Sequence, residues 1–198
     1  MDYAETKEMA DRLGLRFDPA KSYILADDYA FLHHLAQGQN RYAFNVLSGR
    51  FRQGEILAFD FHYEKPSKGT DNELSSSHYY LTTALVLVPA YFPELCIVPE
   101  GLLSKITGAL GDGDIQFESA EFTRAFCVRS RDKRFAYDVC NARVIDYLLE
   151  NRDLNLHIQN CTLALVSEAQ WPAKQVESNL ERLSEIRARL PEYLFSRK

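Results

Sequence analysis

The chain has 198 residues, 46% apolar and 26% charged, with 23 Lys and Arg against 28 Asp and Glu, a formal charge of −5 at pH 7. These values suit one medium-sized domain with a sizeable core and exclude wholesale disorder. The acidic balance excludes a general electrostatic affinity for nucleic acid or anionic membranes.

The pattern along the chain predicts an α+β fold. Residues 5–13 read as a short helix stopped by Gly14, and residues 15–17 as an extended piece ended by Asp18 and Pro19. Residues 27–36 read as a second helix, with Asp27 and Asp28 at its N-terminus and Gly38 past its end. Tyr42, Phe44 and Val46 then alternate with Arg41 and Asn45, and Gln53-Gly54 turns the chain into a partner strand. In that partner Leu57, Phe59, Phe61 and Tyr63 alternate with Ala58, Asp60 and His62, which predicts one oily and one wet face. Residues 65–77 read as a long loop, residues 79–88 as a central third strand, residues 95–98 as a short fourth and residues 102–110 as a helix.

The second half is mixed. A turn through Gly111, Asp112, Gly113 and Asp114 leads to residues 115–117, a helical turn over 119–126 and a strand over 126–129. Asp132 and Asn141 are N-caps for two helical segments, the second carrying Val144, Ile145, Leu148 and Leu149 on one face. Residues 154–158 and 162–166 flank Gln159-Asn160 as a hairpin. Pro172 opens a last helix striped by Val176, Leu180, Leu183 and Leu190. The expected architecture is an antiparallel sheet with flanking helices and a long amphipathic C-terminal helix. It forms a single domain, 1–198, with an N-terminal helix in 1–14, a mixed core over 41–166 and the C-terminal helix over 172–198.

No segment reads as membrane-spanning. The longest apolar run, residues 84–90, contains Pro89 and falls far short of the ~20 residues a membrane helix needs. The start, Met1-Asp2-Tyr3-Ala4-Glu5, is neither a secretory signal nor a basic transit peptide, so a soluble cytoplasmic chain without direct membrane insertion is expected. Cys96, Cys127, Cys140 and Cys161 lie far apart without a CxxC pair, and read as buried free thiols in a reducing compartment, with Cys96, Cys127 and Cys161 in apolar strand contexts.

Histidines give the most interesting juxtaposition. A hairpin spanning the long loop brings His62 and His78 to its mouth with Tyr63, Tyr79 and Tyr80, at cross-strand Cβ separations of about 4.5–5.5 Å. His62, His78, Asp60 and Tyr80 are therefore the candidate ligand-binding residues, with any metal unspecified. His33 and His34 point roughly 100° apart on a helix and read as surface or edge residues, and His157 stands alone in a strand. Asp112, Asp114 and Glu118 lack EF-hand spacing, and Gly108, Gly111 and Gly113 fit no phosphate-binding loop. Ser75, Ser76 and Ser77 beside His78 lack a GxSxG elbow. Arg129, Arg131, Lys133 and Arg134 form a basic run that reads as a solvated face; Arg129, Arg131 and Arg134 are candidate contacts for an anion or an acidic partner.

Residues 115–128, IQFESAEFTRAFCV, followed by residues 132–139, DKRFAYDV, resemble the FESxEFxxxFxVxxxDxRFAYxV signature of a bacterial family of uncharacterised proteins, and are more distantly similar to DUF3137, a domain of unknown function. Asn45-Val46-Leu47-Ser48-Gly49, Ala58-Phe59-Asp60-Phe61 and Pro99-Glu100-Gly101-Leu102 also look like that family's pattern, as does a histidine at the position of His78. The resemblance covers roughly residues 13–165 and implies shared architecture without an assigned activity. Many members carry a membrane helix before the domain. This chain begins at the helix just ahead of Leu13, so the resemblance implies either a soluble member or an anchor outside the chain as given.

Physically, Phe117, Phe122, Phe126, Phe135 and Tyr137 in the signature are packing anchors, and Glu118 and Glu121 flank a helix start. The favoured reading is a non-enzymatic binding module for a protein or small ligand, with no cofactor. The alternatives are a metal- or ligand-binding protein or enzyme built on His62 and His78, and a cytosolic component of a membrane-associated assembly. The C-terminal helix suits packing in cis or pairing as a homodimer.

Overall fold

The computed structural model describes residues 1–52, 54–68, 74–101 and 114–196. In chain order these form α1 (Tyr3–Leu13), β1 (Arg16–Asp18), α2 (Tyr23–Asp28), β2 (Gln39–Phe51), β3 (Gly54–Lys68), β4 (Leu74–Pro99), α3 (Ala120–Ala125), β5 (Phe126–Ser130), α4 (Lys133–Val139), α5 (Ala142–Glu150), β6 (Leu156–Val166) and α6 (Ala173–Arg189), with 3-10 turns at His33–Leu35 and Glu192–Ser196. The expected helix over 102–110, the glycine turn at 111–113 and Gln53 lie outside the described residues.

Short-range polar chemistry sets most helix ends. The Asp2 carboxylate accepts the Glu5 N–H at the start of α1, and Gly14 closes it at φ 67°, a left-handed conformation that costs glycine little. Asp132 accepts the Phe135 N–H ahead of α4, and Asn141 accepts the Arg143 and Val144 N–H groups ahead of α5, as the sequence predicted. The second helix differs. Ser22 caps it by accepting the Leu25 N–H, while its own backbone is bridged to Ala43. Asp27 and Asp28 therefore end α2, and residues 33–35 form a separate 3-10 turn.

The six strands make one antiparallel sheet in the order β1-β2-β3-β4-β5, with β6 also on β4. Three sequence expectations are corrected here. The predicted third and fourth strands are one 26-residue strand, β4. Its pairing with β3 runs from Leu74 to Leu87, and its pairing with β5 from Leu95 to Pro99. Pro89 and Pro93, which have no N–H to give, fall in the interval between those two partners. The expected loop over 65–77 is largely strand, because β3 continues to Lys68 and β4 starts at Leu74. The expected hairpin at Gln159-Asn160 is a bulge inside continuous β6, with Asn160 at φ 54° and the register to β4 shifting around it.

Both faces of the central strands are covered. On one, Met9 and Ala10 of α1, Val144 and Leu148 of α5, and Val176, Leu180, Leu183 and Ile186 of α6 pack against Leu47, Ile56, Ala58, Ala84, Val86 and Leu165. The α6 stripe is thus spent in cis. On the other, Ala26, Leu32 and Leu35 close over Ala43, Phe59, Phe61, Leu81 and Leu85. The predicted wet face of β3 is consequently buried, with Ala58, Asp60 and His62 all withdrawn from solvent. Phe122, Phe126 and Phe135 of the signature are core residues, each ring contributing about 1.5–3 kcal/mol. Tyr137 is exposed, its ring against Phe117 and its hydroxyl donating to the Gln116 carbonyl.

Two histidines read as peripheral or solitary are joined in the interior. The His157 ring lies 5.2 Å from that of His34. Its Nε2–H donates to Asn155 Oδ1, leaving Nδ1 to accept from the Cys96 thiol at 3.0 Å. Burial pushes that thiol far up, so the sulfur keeps the proton it donates. His34 Nε2 meets Thr83 Oγ1 at 3.2 Å, and its Nδ1 is sealed from solvent with no hydrogen-bond partner among the described residues. Cys127 and Cys140 are buried as well, whereas Cys161 is exposed on its strand.

Burial, with His33 nearby, lowers His157 from 6.5 to about 4, and burial holds His34 well below the usual histidine value. Between those two pH values the unfolded chain binds a proton at position 157 that the folded chain does not. Stability therefore rises with pH across this interval. Acidification from pH 6.5 to about pH 5 is expected to cost about 2 kcal/mol through His157. Urea unfolding at the two pH values checks this: His157→Gln should shrink the difference by about 2 kcal/mol, leaving the share that buried His34 contributes, and an equal slope in wild type and variant contradicts it.

Candidate metal centre

β-strand periodicity places Ile56, Ala58, Asp60, His62 and Glu64 on the face of β3 that carries α1, α5 and α6. Asp60 lies opposite Thr82, His62 opposite Tyr80, and Glu64 opposite His78 on β4. The sequence expectation that His62 and His78 meet is met on a diagonal: His62 Nε2 lies 3.0 Å from His78 Nδ1. His78 Nδ1 is also 3.6 Å from Glu64 Oε1. One ligand-type atom from each of His62, Glu64 and His78 lies within 4.8 Å of the others. His62 is 2% exposed and the His78 side chain 53% exposed, so the cluster runs from a buried base to an open mouth.

Asn40 organises two of these side chains. Its carbonyl accepts from His62 Nδ1 at 3.1 Å, and a carbonyl can only accept, so that nitrogen carries the proton and Nε2 carries the lone pair. Its side-chain amide donates to Glu64 Oε2 at 3.0 Å, leaving Oε1 toward His78. The residue does both from a left-handed backbone at φ 52°. Two imidazoles and a carboxylate, with the outer atoms of two of them already held, are a donor set suited to a divalent ion of the zinc class.

Asp60 is engaged elsewhere. Its Oδ1 accepts from Thr82 Oγ1 at 2.6 Å, and its Oδ2 accepts from the Asn45 amide at 3.0 Å and from the Met1 amino group. Glu64 takes the place that the sequence reading gave to Asp60. Tyr80 belongs to the surroundings: its ring lies 4.9 Å from His62, which also stacks on Tyr42 at 4.5 Å. Phe44 meets both Tyr42 and Tyr80, and Tyr23 meets Tyr42. Glu64 was detectable as the same-face neighbour two residues beyond His62. Asn40 had no sequence signal, because its role depends on a pairing across β2 and β3.

Arg129 donates to Asp114 Oδ1 at 3.0 Å, an oxygen that also accepts from the Cys127 thiol at 2.7 Å. The Cys127 thiol and the Arg129 guanidinium lower Asp114; burial, reinforced by Asp114, pushes Cys127 up to about 12. Arg131 lies close enough to Glu94 to influence it, and Arg134 is exposed on α4. A separate cavity of about 280 Å³, lined by Asn155, Ser167, Trp171 and Asn179 among others, lies beside β6 and the start of α6.

No protein-family model matches the chain, and no curated protein matches it. Among solved structures, the crystal structure of the mycobacterial trehalose monomycolate transport factor A, TtfA, shares the fold, with a TM-score of 0.65, 12% identity and 95% of each chain covered.

Gly38 holds the base of the site. At φ 69°, a Cβ there would stand 2.3 Å from the Glu64 carbonyl oxygen and 2.7 Å from the Tyr63 ring. Gly38→Ala is expected to cost at least roughly 1–3 kcal/mol and to separate β2 from β3 where Gln39 faces Glu64. Denaturant midpoints and the His62 and His78 ring resonances check this; unchanged midpoint and resonances contradict it.

Proposed function

We propose that this chain is a non-enzymatic interaction module, docking a partner protein on the ring-lined end of β2, β3 and β4 as a cytosolic component of a membrane-associated transport assembly. We further propose that it belongs to the bacterial family whose signature residues 115–139 resemble. One observation carries the docking reading. Tyr23, Tyr42, Phe44, His62, Tyr80 and His78 form a continuous set of ring contacts, with centroids 4.5–6.3 Å apart. Tyr23 is 60% and Tyr80 43% exposed.

Tyrosine rings supply large, stiff contact area with a polar tip, which is why they are enriched at protein interfaces. On the reverse face Tyr63 and Tyr79 stack at 5.0 Å with the Lys65 ammonium over both, so the three-strand end offers aromatic surface on both sides. The rings lie side by side across strands, a layout better matched to a partner segment than to an enclosed small molecule. The fold shared with a transport factor supports the assembly part of the proposal. No described helix is long and apolar enough to cross a membrane, which makes partner-borne attachment the route proposed.

A photo-crosslinking residue at position 80, compared with one at position 8 on α1, tests this in native cells. A discrete adduct is expected at position 80, recovered with the membrane fraction, and none at position 8. Tyr23→Ser with Tyr42→Ser should lower its yield at least roughly tenfold, as loss of interfacial anchors does. No adduct at position 80, or equal adducts at both positions, would overturn the docking reading; an adduct found only outside the membrane fraction would overturn the membrane association.

A further inference from the structure

The cluster at the hairpin end has features that partner docking does not explain. A buried histidine whose Nε2 lone pair is fixed by a carbonyl on Nδ1, a carboxylate whose far oxygen is held by an amide, and a half-exposed second histidine converge on one point. We propose that His62 Nε2, His78 Nδ1 and Glu64 Oε1 bind a single zinc ion, with Asn40 as the residue that positions two of the three ligands and solvent in the fourth place.

The spacing fits. Ligand atoms of a tetrahedral ion with bonds of 2.0–2.1 Å stand about 3.3–3.4 Å apart. Here the two measured separations, 3.0 Å for His62 to His78 and 3.6 Å for His78 to Glu64, straddle that value. For these two pairs, adjusting to the ion takes a few tenths of an ångström; the ligand atoms of the cluster all lie within 4.8 Å of one another, and His78, the ligand with most freedom to close on the ion, is the exposed one.

The proton inventory fits as well. Without the ion, the short contact between the two imidazoles requires a proton on His78 Nδ1, because His62 Nε2 has none to give. Binding replaces that shared proton, and the neutral His78 ring then carries its proton on Nε2. The Glu64 carboxylate offsets one of the two positive charges. Two nitrogen donors favour zinc over magnesium or calcium, which prefer all-oxygen shells. Sequence spacing alone does not show this site, since the ligands come from two strands and the positioning residue from a third.

The test uses tag-free full chain, stripped with chelator and titrated with zinc ion by calorimetry, with cobalt ion as a spectroscopic probe. One ion per chain is expected, with affinity that millimolar magnesium leaves unchanged and that falls on acidification as protons compete for the imidazoles. Asn40→Gly keeps the left-handed backbone and removes the amide; it should weaken binding roughly 10–100-fold. His78→Ala, at an exposed position that leaves the fold intact, should weaken it at least as much and abolish the cobalt visible bands. Glu64→Gln is the second ligand variant, and circular dichroism confirms that each variant is folded. Absence of zinc binding at micromolar concentrations, or binding with unaltered affinity in folded His78→Ala and Glu64→Gln, overturns the proposal.

Discussion

The backbone of β4 is the constraint on which the rest of the architecture depends. A strand of 26 residues presents two long rows of N–H and C=O groups, and each buried group must find a partner or cost a few kcal/mol. One edge is shared end to end by β3 and β5, and the other is followed by β6 from Thr83 to Ile97. Pro89 and Pro93 occupy the handover, where β3 has ended and β5 has not begun. Bulges in the β4–β6 pairing absorb the unequal residue counts there, through a left-handed Asn160.

This arrangement decides where a site can form. The helices α1, α5 and α6 pack over the middle of the sheet, against Ile56, Ala58, Ala84 and Val86. β3 and β4 continue past them as a paired extension. Residues on the helix-bearing side of that extension change from aliphatic to polar and aromatic: Asp60, His62 and Glu64 follow Ala58 on alternate positions. Asp60 is satisfied by Thr82, Asn45 and the Met1 amino group, closing the junction between core and extension. His62 and Glu64, one and two steps further out, meet Asn40 and His78 instead.

Buried polar groups are therefore distributed by position. Most of those near the core are hydrogen-bonded, as with the Cys96 thiol on His157 and Thr82 on Asp60, with His34 Nδ1 an exception among the described residues. Thr82 extends the network by accepting the Trp171 N–H, tying the lead-in to α6 to the central strand. Such networks are stabilising when complete and costly when half made. The outer cluster differs in having an open mouth, which is what a ligand needs.

Sequence by itself determined the features whose causes lie within a few residues. The caps at Asp132 and Asn141, the Gly14 stop, the α6 stripe and the α+β class were all legible, because capping and amphipathic periodicity are local. The proximity of His62 and His78 was legible too, since two flanking strands imply a hairpin. Tertiary structure alone decided the continuity of β4 and β6, which looked interrupted because proline and Gln-Asn are turn residues wherever pairing does not override them. It also decided the union of His34 with His157 and Cys96, the substitution of Glu64 for Asp60, and the role of Asn40. Each of these depends on which residues stand opposite one another across strands, and register between distant segments is a property of the assembled sheet.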